Sequence, residues 1–289
     1  MRNETFRAMP GMIARSTEVV EVGSWRKAEQ LSRTSSGEAK VLLRTPGLAA
    51  PLLLLVVATS GLAQRPQRLS QPGVSPGVWG VLELPRSAGP HPGVVIIPGS
   101  AGWRAFYPQL ARALADSGFA ALALDYYGDT GLDTSSADAA MKRPVWRASI
   151  RNAVAHLEES ASAGRAVALM GFSRGGFLAM EVGASLPAVK AVVEYFGGGA
   201  ADPDSLRQQV RGFPPLLILH GNADTIVHVT QAYRLRDAML AHGGEVEVQI
   251  YPGANHGFYN SPAAMSDAAR RSVEFLRRYL AARDTTRLR

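Results

Sequence analysis

A chain of 289 residues with 46% hydrophobic side chains can bury a substantial core, and 7% aromatic and 19% charged residues separate it from disordered, collagenous and coiled-coil compositions. It has no cysteine, which excludes a disulfide framework, a cysteine nucleophile, a thiolate metal site and a lipoprotein anchor. The net charge of +7 does not point to nucleic acid: residues 1–63 hold eight Lys/Arg against five Asp/Glu, residues 267–289 seven against three, and the stretch between carries sixteen of each. Arg270, Arg271, Arg277 and Arg278 in the basic tail read as a solvated helix face, and no nucleic-acid recognition motif accompanies them.

Residues 1–40 carry no pattern and read as an N-terminal extension. Arg44 then precedes an apolar run from Gly47 to Thr59, which ends in the small-residue stretch Ser60-Gly61-Leu62-Ala63. A basic flank, an apolar core too short to span a bilayer and a small-residue end are the parts of a signal peptide over 41–63, with Gln64 beginning the mature chain. Translation starting near Val41 would put this signal where signals normally stand. The expectation is export to the periplasm or beyond the cell. A segment that is not a signal would leave the protein cytoplasmic, and a retained one would tether it to a membrane.

From Val78 onward, apolar runs alternate with amphipathic stretches, the pattern of a mostly parallel sheet wound with helices on both faces. Strands are expected at Gly77–Leu84, Val94–Ile97, Phe119–Leu124, Ala166–Met170, Val189–Tyr195, Leu216–Leu219 and Val246–Ile250. Phe106, Leu110 and Leu114 mark one helix; Trp146, Ile150, Val154 and Leu157 stripe a long one; Val273, Leu276 and Leu280 close the chain. Residues 64–289 read as a single domain. Gly197–Gly199 and the Asp202-Pro203-Asp204 cluster read as loop and turn. Only about twenty residues separate Phe196 from Pro215, too few for a large cap once the sheet has been crossed.

The chemistry starts at Gly171-Phe172-Ser173-Arg174-Gly175-Gly176, which follows an apolar strand and opens a helix. This is the G-x-S-x-G nucleophile elbow in its required setting, where glycines on either side admit a serine on a tight strand-to-helix turn. A serine hydroxyl needs a positioned base, and the base needs an anionic partner. Asp224, after the strand at Leu216–Leu219, and His256, after the strand ending at Tyr251, follow in the order serine, acid, histidine, each at the strand edge where open α/β sheets bind ligands. Asp125 ends a strand on the same edge but precedes the serine. Asp202 and Asp204 read as turn formers, His228 and His242 as helix-end residues, and His220 as bonded within its own turn.

Two backbone N–H groups are needed to hold an oxyanion. One is expected from Arg174, immediately after the nucleophile, and the other from Pro98-Gly99-Ser100-Ala101, with Ser100 favoured over Ala101. Trp103, Tyr126, Tyr127 and Phe258 lie in loops on the same edge and are expected to line a small substrate pocket, unless they simply pack within those loops.

With these residues in place, the chain resembles the dienelactone hydrolase family of α/β-hydrolases over roughly residues 78–280. The specific points are the elbow at Gly171–Gly176, the stretch Ala191–Gly197, His220-Gly221 with Asp224, and Tyr251–Phe258. The resemblance implies the α/β-hydrolase fold and a carboxylic ester hydrolase with no cofactor and no metal, acting on a small-molecule ester with no nucleic-acid partner. Three departures narrow it. The name-giving enzymes carry a cysteine where this chain has Ser173, a glutamate after the first core strand where it has Pro98-Gly99, and an arginine just after the catalytic histidine where it has Gly257, Phe258 and Tyr259. The expectation is therefore a general short-chain esterase of this family. A peptidase or thioesterase of the same fold and a catalytically silent binding protein are the alternatives.

Overall fold

The computed structural model describes residues 64–280 apart from 134, 161 and 162, and these all fall in one compact unit. The N-terminal extension and the expected signal at 41–63 lie outside the described residues. Eight strands form one sheet: β1 (Gln67–Arg68), β2 (Trp79–Glu83), β3 (His91–Ile97), β4 (Ala120–Leu124), β5 (Ala163–Phe172), β6 (Val189–Tyr195), β7 (Leu216–Gly221) and β8 (Val246–Tyr251). Their spatial order is β1-β2-β4-β3-β5-β6-β7-β8. β1 and β2 run antiparallel, and β3 through β8 are mutually parallel.

The continuous apolar runs fall where a sheet covered on both faces demands them. Alternate residues of each central strand feed two separate cores. Val95, Ile97, Leu169, Val192 and Ile218 pack with α2 (Ser136–Glu159), α3 (Arg174–Gly183) and α5 (Thr230–Ala241). Val94, Ile96, Met170, Val193 and Leu219 pack with α1 (Phe106–Asp116) and α6 (Pro262–Leu280). The stripe of Trp146, Ile150, Val154 and Leu157 is buried along α2. That helix starts ten residues before its stripe, where the Ser135 hydroxyl accepts the Asp138 N–H at 3.1 Å.

One expectation fails. The Asp202-Pro203-Asp204 cluster is not a plain turn but the start of a helix, α4 (Pro203–Val210). The Asp202 carboxylate accepts the Ser205 N–H at 2.8 Å and Pro203 takes the first helical position. An acidic N-cap followed by proline is itself a helix-start signal. At eight residues α4 is too short for a large lid, so the link between β6 and β7 leaves the sheet edge open.

Candidate active site

The sheet brings the three expected residues together. Ser173 sits between β5 and α3 at φ 52°, an angle that brings the side chain of a non-glycine residue into close contact with its own backbone. The neighbouring chain makes room for it: a Cβ on Gly171 would overlap the Gly175 carbonyl, and one on Gly175 would overlap the Ile97 carbonyl. The Ser173 N–H is held by the Tyr195 carbonyl at 2.9 Å. Asp224 follows β7, and His256 opens a short 3-10 turn after β8.

The Ser173 hydroxyl lies 3.0 Å from His256 Nε2, and His256 Nδ1 donates to Asp224 Oδ2 at 2.7 Å. The Asp224 side chain is fully buried, and its other oxygen accepts the Ile226 and Val227 N–H groups at 2.9 and 2.8 Å. His220 is also buried. Its Nε2 donates to the Val227 carbonyl at 2.7 Å, as expected of a turn-bound histidine, and lies 3.4 Å from Asp224 Oδ2. Burial pushes the His220 pKa down, which favours the neutral form of this second imidazole. Asp125 is not in the cluster; its carboxylate accepts the Tyr127 N–H. His228 and His242 sit at the two ends of α5.

Arg174 and Ser100 both border the cleft above Ser173. The Arg174 N–H is the first of α3, where a helix has no internal acceptor for it and where the helix dipole favours negative charge. The loop carrying Ser100 closes on the elbow: a Cβ on Gly99 would lie 3.5 Å from that of Ser173. Two phenols fix this loop. Gly99 N–H donates to the Tyr107 hydroxyl at 3.0 Å, and the Tyr126 hydroxyl donates to the Pro98 carbonyl at 3.2 Å. Tyr126 is 2.8 Å from the Tyr127 hydroxyl, which accepts from Arg174 at 3.0 Å. Tyr107 was invisible as a functional residue in the sequence, where it is one apolar position of an amphipathic helix.

The pocket aromatics need correction. The cleft beside Ser173 has a volume of about 630 Å³, and Trp103, Tyr126, Tyr127 and Phe258 do not line it. Tyr126, Tyr127 and Phe258 are buried beneath the edge, in ring contact with Trp146 or with Phe196 and Tyr251. Trp103 donates its indole N–H to the Gln64 carbonyl at 3.1 Å. Arg143, Arg147, Phe177 and Glu181 form one wall and Gly199, Ala200, Ala201 and Gln209 the other. Arg143 is bidentate on Glu181, and Arg174 on Asp133, whose carboxyl that guanidinium holds below the ordinary range. These wall residues come from α2, α3, the β6–α4 loop and, for Gln209, α4 itself, and no sequence motif marks them.

A mostly parallel eight-stranded sheet with a serine elbow, an acid and a histidine at its edge defines the α/β-hydrolase class. The model of the dienelactone hydrolase family matches residues 78–281, and the chain belongs to that family of carboxylic ester hydrolases. Among curated relatives, a protein of Methylorubrum extorquens provisionally named carboxymethylenebutenolidase is 28% identical over 192 residues, 61% of this chain and 66% of that protein. Human acyl-coenzyme A thioesterase 1 is 31% identical over 139 residues, 48% of this chain and 31% of that enzyme. The chain thus matches just under two thirds of the first relative's length and about a third of the second's. A provisional dienelactone hydrolase of Klebsiella pneumoniae shares the fold at a TM-score of 0.63 with 20% identity, over 74% of this chain and 98% of that one.

Proposed function

We propose that the chain is a serine esterase for small, short-acyl carboxylic esters, working through Ser173, His256 and Asp224. The observation that carries this reading is the unbroken hydrogen-bond series from the Ser173 hydroxyl through both nitrogens of His256 to Asp224, at 3.0 and 2.7 Å. In the reaction Ser173 Oγ attacks the ester carbonyl as its proton passes to His256 Nε2. Asp224 fixes the imidazole tautomer and stabilises the imidazolium. The carbonyl oxygen, now negative, is held by the N–H groups of Arg174 and Ser100. His256 returns its proton to the leaving alcohol, and a water activated by the same base then hydrolyses the acyl-enzyme.

The test is fluorophosphonate labelling of the purified protein, followed by a panel of matched oxygen esters, thioesters and peptides. Labelling that is lost in Ser173→Ala, with oxygen esters turned over fastest, is the expected result. A panel led by thioesters would instead favour a thioesterase, the activity for which the human relative is named. Absence of both labelling and turnover would leave a silent scaffold.

Export is proposed on the apolar run and small-residue end of 41–63. A chain beginning at Gln64 is expected to fold and to keep its activity, because the described elements begin at Gln67.

A further inference from the structure

Three residues other than glycine hold a positive φ among the described residues: Ser173 at 52°, Phe196 at 39° and Phe258 at 56°. Such angles are unfavourable for a side chain with a Cβ and persist only where the surroundings impose them. The elbow explains Ser173. The Phe196 ring meets the His256 imidazole edge to face, with centroids 5.0 Å apart, and meets the Phe258 ring at 5.2 Å. Its backbone conformation therefore decides what lies against the base.

The turn that contains Phe196 is closed by Glu194. One carboxyl oxygen of Glu194 accepts the Gly197 N–H, and the other has no hydrogen-bond partner. The side chain is wholly buried, and glycines leave the room it occupies. A Cβ on Gly176, in the first turn of α3, would come within 3.1 Å of the carboxyl, and one on Gly197 would press into it and lie 2.9 Å from the Ser173 carbonyl. An apolar side chain could fill this space without the cost of burying a carboxyl, so what the carboxyl adds is its bond to Gly197. Around the carboxyl, α3 and the turn offer Gly176 and Gly197, and the register partners on β5 and β7 are Gly171 and Ile218; the cation of α3, Arg174, is engaged by Asp133 and Tyr127. Burial raises the Glu194 pKa to about 8, the Gly197 N–H lowers it, and the charge of Asp224 raises it further. Burial thus favours the neutral acid, and the proximity of Asp224 acts in the same direction.

We propose that Glu194 is a positioning residue: wedged between the elbow helix and the Gly197 N–H, its carboxyl holds Phe196 in its left-handed turn against the His256 ring. This rests on the reading of Ser173 and His256 as nucleophile and base, and Ser173→Ala tests that reading separately.

The experiment compares the full chain with Glu194→Gln, Glu194→Leu and Phe196→Leu, using p-nitrophenyl acetate from about pH 5 to about pH 9, with folding followed by circular dichroism. Loss of the acceptor in Glu194→Leu is expected to lower kcat by about ten- to a hundredfold, as a small misplacement of a catalytic group does. KM should change little and the acid limb of the pH profile should move. Phe196→Leu should move the same two quantities in the same direction. Glu194→Gln keeps a neutral acceptor and should stay within about threefold of wild type at pH 7. Wild-type kcat and an unmoved acid limb in Glu194→Leu overturn the proposal, as does a Glu194→Gln loss as large as that of Glu194→Leu. If Glu194→Leu does not fold, Phe196→Leu decides: wild-type kcat and limb overturn the proposal, and a slowed enzyme with a displaced limb supports it. Should Ser173→Ala retain activity, the triad reading fails first, whatever the Glu194 variants do.

Discussion

His256 Nδ1 donates to Asp224 Oδ2 across 2.7 Å, so the loops after β7 and β8 meet at one carboxylate that is itself anchored by the N–H groups of Ile226 and Val227. The acid is therefore rigid before any substrate arrives. An amide at this position keeps the shape but can present its NH2 to the imidazole and favour the wrong tautomer.

Asp224→Asn is accordingly expected to lower kcat by on the order of 10⁴, and Ser173→Ala by on the order of 10⁶, as in triads where each has been replaced. Stopped assays on p-nitrophenyl acetate, with circular dichroism to show an intact fold, check both. Asp224→Asn activity within tenfold of wild type would remove Asp224 from the mechanism.

The loop expected to supply the second oxyanion donor depends on Tyr107, whose hydroxyl accepts the buried Gly99 N–H at 3.0 Å. Burial, chiefly, pushes this phenol up to about 12, so it remains a neutral acceptor throughout the working range. Tyr107→Phe leaves a buried donor unmatched, at a cost of about 1–3 kcal/mol of stability, and loosens the chain next to Ser100. The expected kinetic result is a fall in kcat of about tenfold with KM nearly unchanged, since an oxyanion donor acts in the transition state. A Tyr107→Phe enzyme that melts lower but turns over at the wild-type rate would confine Tyr107 to a structural role.

The legible part of this protein was the part set by periodicity and by short local motifs. Continuous apolar strands announced a sheet buried on both faces, and Gly171–Gly176 announced a strained turn, because both signals lie within a few neighbouring residues. The alternation along β3, with Val94 and Ile96 in one core and Val95 and Ile97 in the other, is a direct consequence of the strand period. What stayed hidden depends on contacts between distant segments. Tyr126 and Tyr127 sit in a loop on the catalytic edge, as the sequence implied, yet they turn inward toward Trp146 on α2. The wall formed by Arg143, Arg147 and Glu181 joins α2 to α3 and carries no motif. Asp202 was a missed signal of the opposite kind, since its N-capping pattern was local and readable.

Glu194 should make stability depend on pH in a defined direction. Its folded value of about 8 stands above the ordinary 4.5, burial being the main cause. Between those two values the folded chain holds a proton that the unfolded chain has released, so stability falls as pH rises through the window. Glutamine at this position does not titrate. The melting temperature of Glu194→Gln minus that of wild type is therefore expected to climb from about pH 4.5 to about pH 8 and to level off above. Melting curves taken at intervals across this range check it, and a difference independent of pH would mean that Glu194 titrates alike in both states.

The walls of the cleft also set an expectation for the substrate. Beyond Ser173 the space is bounded by Arg143, Arg147 and Glu181 on one side and by Gly199, Ala200, Ala201 and Gln209 on the other, with Phe177 the one aromatic among them. The four aromatics that could have lined an acyl channel are buried below or bonded elsewhere, and α4 is a single eight-residue helix. A long acyl chain leaving Ser173 would run along charged side chains and small residues out to solvent. Each methylene buried in an apolar channel is worth about 0.8 kcal/mol, and each one left in water gains none of it. Past the first few carbons, lengthening the chain should add nothing to transition-state binding and should cost some through contact with the guanidinium groups. The acetate and butyrate esters of p-nitrophenol are therefore expected to have higher kcat/KM than the palmitate ester, when all are assayed below the concentration at which the long ester aggregates. A steady rise of kcat/KM from acetate through butyrate to palmitate would require an apolar channel that these walls do not provide, and would sink the short-acyl assignment.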